Sequence, residues 1–249
     1  MKNITKLILI VLLAFPTISA IGQPCMPGYV WNGTACVPAG TEKQLYLKVL
    51  FQGFQDVYGT PTAMVKCQGD AGDQFTGVIT DTCTVELHDS ISGYSNIIYA
   101  AHGVEIDQDG TAHSTGKTYV SIPSIYTGTY YITIRHRNHI ETTSAFTQSF
   151  VGATVTYDFT TAINKAYGSN QILLNGKAWI FAGDIYIPLN NPPQDGIVET
   201  ADIQSIITAI DAFSSGYTND DLNGDGIVET ADYQMVVTAT DNFIGAVTP

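Results

Sequence analysis

The chain has 249 residues and a formal net charge of −13, with ten Lys and Arg against 23 Asp and Glu. Nucleic acids and anionic lipid surfaces are bound through basic patches, so this strongly acidic composition argues against both as partners. We therefore expect no nucleic-acid partner.

The N-terminus has the pattern of a secretory signal peptide. Lys2 and Lys6 precede an apolar run over 7–15, and small residues follow at two possible cleavage points. The run is shorter than the roughly 20 residues that span a bilayer, which favours cleavage over a membrane anchor. Residues 1–22 are accordingly predicted to be a signal peptide. The protein is predicted to be secreted, extracellular or on the outer cell surface, and not membrane-spanning.

The four cysteines fit an oxidising compartment. They form two local pairs in the sequence, and each pair brackets a turn-rich segment, which favours local pairing over the other possible pairings. No C-x-x-C spacing or adjacent histidine indicates a metal site. We predict the disulfides Cys25–Cys36 and Cys67–Cys83.

Residues 43–162 alternate short β-rich runs with turn residues and show no helical period of useful length. This pattern predicts a mainly β fold, an Ig-like antiparallel β-sandwich of about seven strands. Residues 23–42 are expected to be a disulfide-linked N-terminal segment, and residues 163–183 a connector. We expect strands at 45–51, 83–88, 117–122, 128–140 and 153–159.

Residues 184–249 contain an internal repeat. The octet Asp195–Asp202 recurs unchanged at Asp225–Asp232, and thirteen of nineteen positions match when the comparison is extended beyond the octets. Apolar residues at helical spacing follow each octet, with Thr200 and Thr230 in position for N-caps. The repeat predicts a small α-helical domain of two loop-helix units after the sandwich.

The second unit contains a loop with the spacing of calcium ligands. Oxygen-bearing side chains fall at loop positions 1, 3, 5 and 12, and Gly226 at position 6 suits a left-handed turn. A main-chain carbonyl at position 7 and a water-mediated carboxylate at position 9 would complete the set. Hard oxygen ligands favour Ca²⁺ over Mg²⁺ and Zn²⁺. The predicted ligands are Asp221, Asn223, Asp225, the Ile227 carbonyl, Glu229 and Asp232.

The first loop admits two alignments. Counting back from Asp195 puts Asn191 at position 1 and a proline, which has no ligand side chain, at position 3. Alternatively, Asp184 opens the loop and residues 186–193 are an insertion, with Asn190 or Asn191 assisting. Either alignment supplies fewer charged ligands, so weaker or more variable calcium binding is expected here. The predicted set is Asp184, Asn191, Asp195, the Ile197 carbonyl and Asp202.

The duplicated loop-helix unit with aspartate at position 12 resembles a type I dockerin, a calcium-dependent module that docks onto cohesins. The resemblance is most specific in the second unit and implies the same ligands there. Thr200-Ala201 and Thr230-Ala231 keep a hydroxyl but depart from the usual recognition pair, and the helices lack the basic residues that many dockerins present. The strand-rich segments resemble secreted surface proteins of Bacteroidetes, often labelled hemagglutinin-like. Those segments are 48–54, 85–89 and 134–139.

The strand expected at 128–140 contains both arginines of the chain. With a period of two, Arg135, Arg137 and His139 share one face. A basic strip of this kind could hold a carboxylate or sulfate of an acidic glycan. The alternative is a solvated face that pairs with neighbouring acidic residues.

No catalytic constellation stands out in the sequence, and we expect no enzymatic activity. The sequence indicates a secreted, calcium-binding protein of the adhesion type, with a protein or glycan partner at the cell surface. The alternative is a structural assembly component whose dockerin-like module docks to a partner protein in an envelope complex.

Overall fold

The computed structural model describes residues 29–31, 36–38, 42–188, 190 and 193–249. The expected signal peptide lies outside these residues, as do Asn191 and Cys25 with its expected bond to Cys36. The chain divides into two compact units, one ending at Gly40 and one beginning at Thr41. In the first unit, strands Tyr29–Trp31 and Cys36–Pro38 pair antiparallel.

The second unit is mainly β and ends in two short helices. Two 3₁₀ turns, Ile163–Lys165 and Tyr167–Ser169, precede its last hairpin. The helices are α1 (Thr200–Asp211) and α2 (Thr230–Asp241). Numbered along the whole chain, the strands are β1 (Tyr29–Trp31), β2 (Cys36–Pro38), β3 (Lys43–Lys48), β4 (Gln68–Gly69), β5 (Gly72–Asp73), β6 (Ile79–Asp89), β7 (Ile97–Asp107), β8 (Thr111–His113), β9 (Val120–Ile122), β10 (Thr129–His136), β11 (His139–Thr143), β12 (Gln148–Ser149), β13 (Thr154–Asp158), β14 (Ile172–Leu174) and β15 (Lys177–Trp179).

The main sheet has the strand order β11-β10-β6-β7-β8-β3-β13, with β12 added to β10 and β9 added to β3. Its pairings are antiparallel apart from β3 with β13, which run parallel. The mainly β and largely antiparallel architecture expected from the sequence is confirmed at this level. The wholly antiparallel arrangement is wrong at β13, because the chain crosses the sheet before β13 returns to β3, and such a crossover permits parallel pairing.

Two elements differ from the predicted strands. The strand expected at 128–140 is broken by a tight turn at Arg137 and Asn138, so that β10 and β11 form a hairpin in which His136 opposes His139. Strand β7 was not predicted, because its Ala-Ala-His-Gly segment at 100–103 has little β propensity. It pairs along most of β6 with several register shifts, which one-residue bulges allow.

The helices and the sheet share one hydrophobic core. α1 buries Ile206 and α2 buries Val236 at the equivalent position of the repeat. Both belong to the same buried cluster as Phe51, Phe54 and Trp179 of the β-rich part. The duplicated loop-helix unit is therefore packed on the sheet rather than attached to it by a free linker.

Thr200 and Thr230, the predicted N-caps, are instead the first residues of the two helices. The N-caps lie one residue earlier, at Glu199 and Glu229. The backbone N–H of each glutamate donates to the last aspartate of its own loop, Asp202 or Asp232, at 2.9 Å. This contact fixes the loop to the first turn of the helix.

Candidate metal centre

The second loop folds around two fully buried carboxylates. Asp221, at loop position 1, accepts hydrogen bonds from the backbone N–H groups of Gly224 at 2.8 Å and Gly226 at 3.0 Å. Asp232, at position 12, accepts from the N–H groups of Leu222 at 2.8 Å and Asn223 at 3.2 Å. Both ends of the loop are thus gathered onto the two carboxylates that the sequence predicted as ligands.

The middle of the loop is a series of side-chain turns. The Asn223 side-chain oxygen accepts from the Asp225 N–H at 2.8 Å, and the Asp225 carboxylate accepts from the Ile227 N–H at 3.0 Å. Gly226 has a φ of 83°, the left-handed conformation that explains glycine at position 6. The structure therefore brings the predicted ligands Asp221, Asn223, Asp225 and Asp232 into one loop.

Each loop is braced by the segment that follows the opposite helix. Ser215, after α1, forms a β-bridge with Ile227 of the second loop, and Gly245, after α2, forms one with Ile197 of the first loop. The two bridges are related by the same thirty-residue offset as the sequence repeat. The loops and helices therefore form one reciprocal unit in which neither loop stands alone.

The first loop opens at Asp184. Its last residue, Asp202, accepts from the N–H of Ile185 at 2.8 Å, as Asp232 does from Leu222 in the second loop. Asp195 accepts from the Ile197 N–H at 3.0 Å, the counterpart of the Asp225 contact. These matching bonds support the alignment that starts at Asp184 and treats residues 186–193 as an insertion.

The inserted segment brings Asn190 back to the first loop. Asn190 lines a cavity together with Asp184, Asp195 and Asp202. The cavity is about 10 Å³, which is about the space that one water-sized particle needs. Asn190 can therefore replace the missing side chain at position 3.

The buried carboxylates carry strongly perturbed pKa values. Burial, together with the nearby charges of Asp202 and Asp195, raises the pKa of Asp184 to about 8. Burial likewise raises the pKa of Asp202 to about 6 and that of Asp221 to about 6. Burial also raises the pKa of Asp232. Without a cation, each loop confines two carboxylates that resist ionisation, which is the electrostatic condition that a bound metal would relieve.

The donor set is composed of hard oxygens. Among the described residues, no three side chains of His, Cys, Asp and Glu converge in the manner of a metal cluster. A complete coordination shell in the second loop therefore depends on neutral oxygens as well, namely the Asn223 amide and the predicted Ile227 carbonyl. Mixed carboxylate, amide and carbonyl oxygens are the ligands that Ca²⁺ takes. The residues present fit that ion.

Two residues of the β10–β11 turn hold the second loop against the sheet. Asn138 donates its side-chain N–H to the carbonyl of Asp221 at 2.8 Å, and Arg137 donates to the same carbonyl at 3.3 Å and to that of Thr218. Arg137 also lies over the ring of Tyr217, at 4.4 Å. Asp221, the first predicted ligand of the loop, is thus positioned by the sheet, a connection that the sequence did not indicate.

The basic strip expected from Arg135, Arg137 and His139 is wrong, because the turn after His136 interrupts the strand period on which it depended. His139 is buried, and only 11% of the Arg137 side chain is exposed. His139 contacts the Gln52 carbonyl at 2.7 Å, and burial lowers the pKa of its ring well below its usual value.

Arg135 is the most exposed of the three, at 39% of its side chain. It is paired with two acidic residues, Glu86 at 2.8 Å and Glu141 at 2.7 Å. The alternative noted for this strand, pairing with neighbouring acids, therefore describes Arg135. Because these two carboxylates balance its charge, Arg135 is not the free anion-binding group that the predicted basic strip would need.

The predicted Cys67–Cys83 disulfide is absent, since both residues are free, buried thiols. The Cys67 sulfur instead contacts Asp81 at 3.2 Å and the Arg137 guanidinium at 3.7 Å. Burial raises the pKa of both thiols. Both cysteines are therefore core residues in this fold, and a turn-rich segment between two cysteines did not indicate a bond.

Together, the fold and the site define a mainly β protein that carries a duplicated loop-helix unit with two clusters of buried carboxylates. No helix within the described residues is long and apolar enough to cross a membrane.

No family model and no curated protein matches the chain. Among solved structures, it is similar to a C-terminal interface mutant of a type II cohesin–X-dockerin complex from Acetivibrio cellulolyticus. The identity is 18% and the TM-score 0.44, with 82% of this chain and 97% of that chain covered. An N-terminal interface mutant of the same type of complex gives 18% identity and a TM-score of 0.39, covering 82% of this chain and 98% of that chain. These likenesses are too weak to assign this chain to either component.

Proposed function

We propose that residues 184–249 bind two Ca²⁺ ions and that the chain is a secreted, non-catalytic binding protein stabilised by them. The observation that carries the calcium proposal is the pairing of buried carboxylates, Asp221 with Asp232 and Asp184 with Asp202. Carboxylates are rarely buried without a partner, because the charged form loses its hydration. A divalent cation supplies the missing charge in both loops.

In the second loop, the metal would be held by Asp221, Asn223, Asp225 and Asp232, with the Ile227 carbonyl and a water bound to Glu229. In the first loop, the holders would be Asp184, Asn190, Asp195, Asp202 and the Ile197 carbonyl. The ion's chemistry here is structural, since it neutralises the carboxylates and ties each loop to its helix. The first site should be weaker because its position 3 depends on a distant residue of the insertion.

Isothermal titration of Ca²⁺ into the chelator-treated protein tests the calcium proposal. We expect two binding events, and Asp232→Asn should remove the tighter one while leaving the other. Asp241→Asn is the matched control, since it removes the same charge from an exposed position at the far end of the same helix. Absence of any heat of binding in the wild-type protein would contradict the proposal.

We propose that the binding partner is a protein, because two phenylalanines of the repeat are exposed. Phe213 and Phe243 follow α1 and α2 at equivalent repeat positions, and 91% and 93% of their surfaces are exposed. Large apolar side chains exposed at both copies of a repeat are features of an interaction surface. This placement favours the alternative function noted above, an assembly component that docks through its C-terminal repeat.

Affinity capture with the intact protein tests the docking role. Because the repeat shares its core with the sheet, deleting residues 184–249 would unfold the remainder, so point variants are preferable. Phe213→Ser with Phe243→Ser should abolish capture of the partner. Phe146→Ser is the control, because Phe146 is also exposed, at 77%, but lies in the β-rich part. Equal loss with the control variant would contradict a docking role for the repeat.

A glycan partner is the second candidate, and one cleft favours it. A cavity of about 480 Å³ lies between the sheet and the calcium loops, and its lining combines charged, amide and aromatic side chains. Arg135, Glu86 and Tyr186 contribute to it. Because Arg135 is balanced by its acidic neighbours, a neutral glycan fits better than an acidic one. Binding on a glycan array that Arg135→Gln removes, with capture of protein partners unchanged, would establish this candidate in place of the first.

A further inference from the structure

A second cavity, of about 630 Å³, lies between helix α2 and the β14–β15 hairpin. Its walls are largely apolar, and none of the described residues that line it is ionisable. The helix side extends from Ala231 to Asn242, a length of about 16 Å at the helical rise. We call it the α2 groove. Its principal apolar residues are Ile172, Leu173, Phe181, Met235 and Ile244.

The equivalent face of α1 has a cavity of about 550 Å³ with a different character. Ser205 and Ser214 line it where Met235 and Ile244 line the α2 groove. The two repeats are identical in the octets that form the loops but differ at these groove positions. The apolar groove is therefore specific to the second repeat, where the hairpin of the β-rich part supplies the opposite wall.

Gln171 gives the α2 groove an unusual polar feature. The residue is only 4% exposed and lines the groove, yet neither its side-chain nitrogen nor its side-chain oxygen has a hydrogen-bond partner among the residues that the structure describes. Buried amides are normally paired, because leaving donor and acceptor unsatisfied is costly. A ligand that offers an acceptor and a donor side by side would satisfy both atoms once the amide turns toward the groove.

A peptide group is such a ligand, and the length of the groove suits several of them in sequence. About 16 Å corresponds to roughly five residues of extended chain. The described lining of the α2 groove offers apolar surface and amide and hydroxyl groups for recognition rather than charges. The occupant should therefore be uncharged and apolar in its side chains.

We propose that the α2 groove binds an extended, uncharged peptide segment of a partner protein, with one peptide group paired to the Gln171 amide. Apolar side chains of the segment would pack against Met235 and Phe181. The exposed amides and hydroxyls of the α2 rim, Gln234 and Thr238, would face its outer edge. This site is distinct from the calcium loops and from Phe213 and Phe243, so its failure would leave the proposed function intact.

The test is nuclear magnetic resonance titration of the full, calcium-loaded protein with blocked, uncharged hexapeptides rich in Leu, Ile and Val. We expect at least one peptide to give saturable shifts at Leu173, Met235 and Thr238. Gln171→Met keeps the length of the side chain and removes the amide, and should weaken binding by about fivefold or more.

The repeat provides a matched pair of blocking variants. Thr238 and Thr208 are exposed at equivalent positions, and each donates its hydroxyl to the carbonyl four residues earlier. Thr238→Trp should fill the α2 groove and abolish binding, whereas Thr208→Trp on α1 should leave it unchanged. No saturating peptide, or wild-type binding by Thr238→Trp, would overturn the proposal. Equal affinity for 2-pyrrolidinone, a small cyclic amide, would overturn the peptide assignment.

Discussion

Replacement of Arg137 by leucine should destabilise the sheet and the second loop, 221–232, together. The Arg137 guanidinium lies 3.2 Å from the Asp81 carboxylate, which is completely buried. Burial alone would raise the pKa of Asp81, but the contact with the His136 ring at 3.2 Å and the charge of Arg137 outweigh it and hold that pKa below its usual value. Because burial also lowers the pKa of His136, the ring is mostly neutral near neutral pH. Arg137 is therefore the permanent positive charge opposite Asp81.

The expected loss of stability depends on the hydrogen bonds that Asp81 retains in the variant. Removing one partner of a buried ion pair costs about 3–5 kcal/mol, since the other charge is left uncompensated. Asp81 would still accept hydrogen bonds from the Tyr217 hydroxyl and the Thr82 N–H. We therefore expect a loss near the lower limit, about 3 kcal/mol in the free energy of unfolding.

The assay is urea unfolding in saturating Ca²⁺, followed by far-ultraviolet circular dichroism. The double variant Arg137→Leu with Asp81→Asn removes both charges, and should recover at least half of the loss. The affinity for Ca²⁺ should also fall in the single variant, because Arg137 binds the Asp221 carbonyl. A single variant within about 0.5 kcal/mol of wild type would refute the reasoning, as would a double variant that loses the sum of two independent effects.

Three further predictions concern the dependence of stability on pH, two glycine substitutions and the reactivity of the thiols. Asp184 has a folded pKa of about 8 against an ordinary 3.8, so the folded state holds its proton where the unfolded state does not. The melting temperature of the calcium-free protein should therefore decrease as the pH is raised from about 6.5 to about 8. Asp184→Asn should reduce the slope of melting temperature against pH. A slope of the opposite sign would refute the linkage. A Cβ at Gly53 would lie 2.2 Å from the Leu222 carbonyl oxygen, whereas one at Gly77 meets open space. Both residues have positive φ, so Gly77→Ala should cost about 1–2 kcal/mol and Gly53→Ala distinctly more in urea unfolding. Iodoacetamide should label Cys67 and Cys83 only after unfolding, and a disulfide-linked peptide containing both would contradict the structure.

The conformation of the second loop could be predicted from the sequence because the residues that determine it are close together in the chain. Turn residues and ligands lie within twelve positions, and the identical octets fix the start of both helices to within one residue. The first loop could not be predicted from local sequence alone, because Asn190 returns to the site only through the folding of the insertion. Two alignments were compatible with the sequence, and the backbone hydrogen bonds to Asp202 distinguish them.

The environment of Arg137 could not be derived from periodicity. The run 128–140 has strong β propensity, and only Asn138 offered a turn signal within it. Whether such a turn forms depends on what packs above it, here the Asp221 carbonyl and the ring of Tyr217. The parallel pairing of β13 with β3 is equally non-local, because it joins strands more than a hundred residues apart.

Anomalous X-ray scattering from crystals grown with Ca²⁺ would locate calcium in the second loop. We expect an anomalous difference peak enclosed by the side chains of Asp221, Asn223, Asp225 and Asp232. A weaker peak should lie between Asp184 and Asp202. Well-ordered carboxylates at Asp221 and Asp232 with no anomalous peak between them, at saturating Ca²⁺, would contradict the calcium proposal.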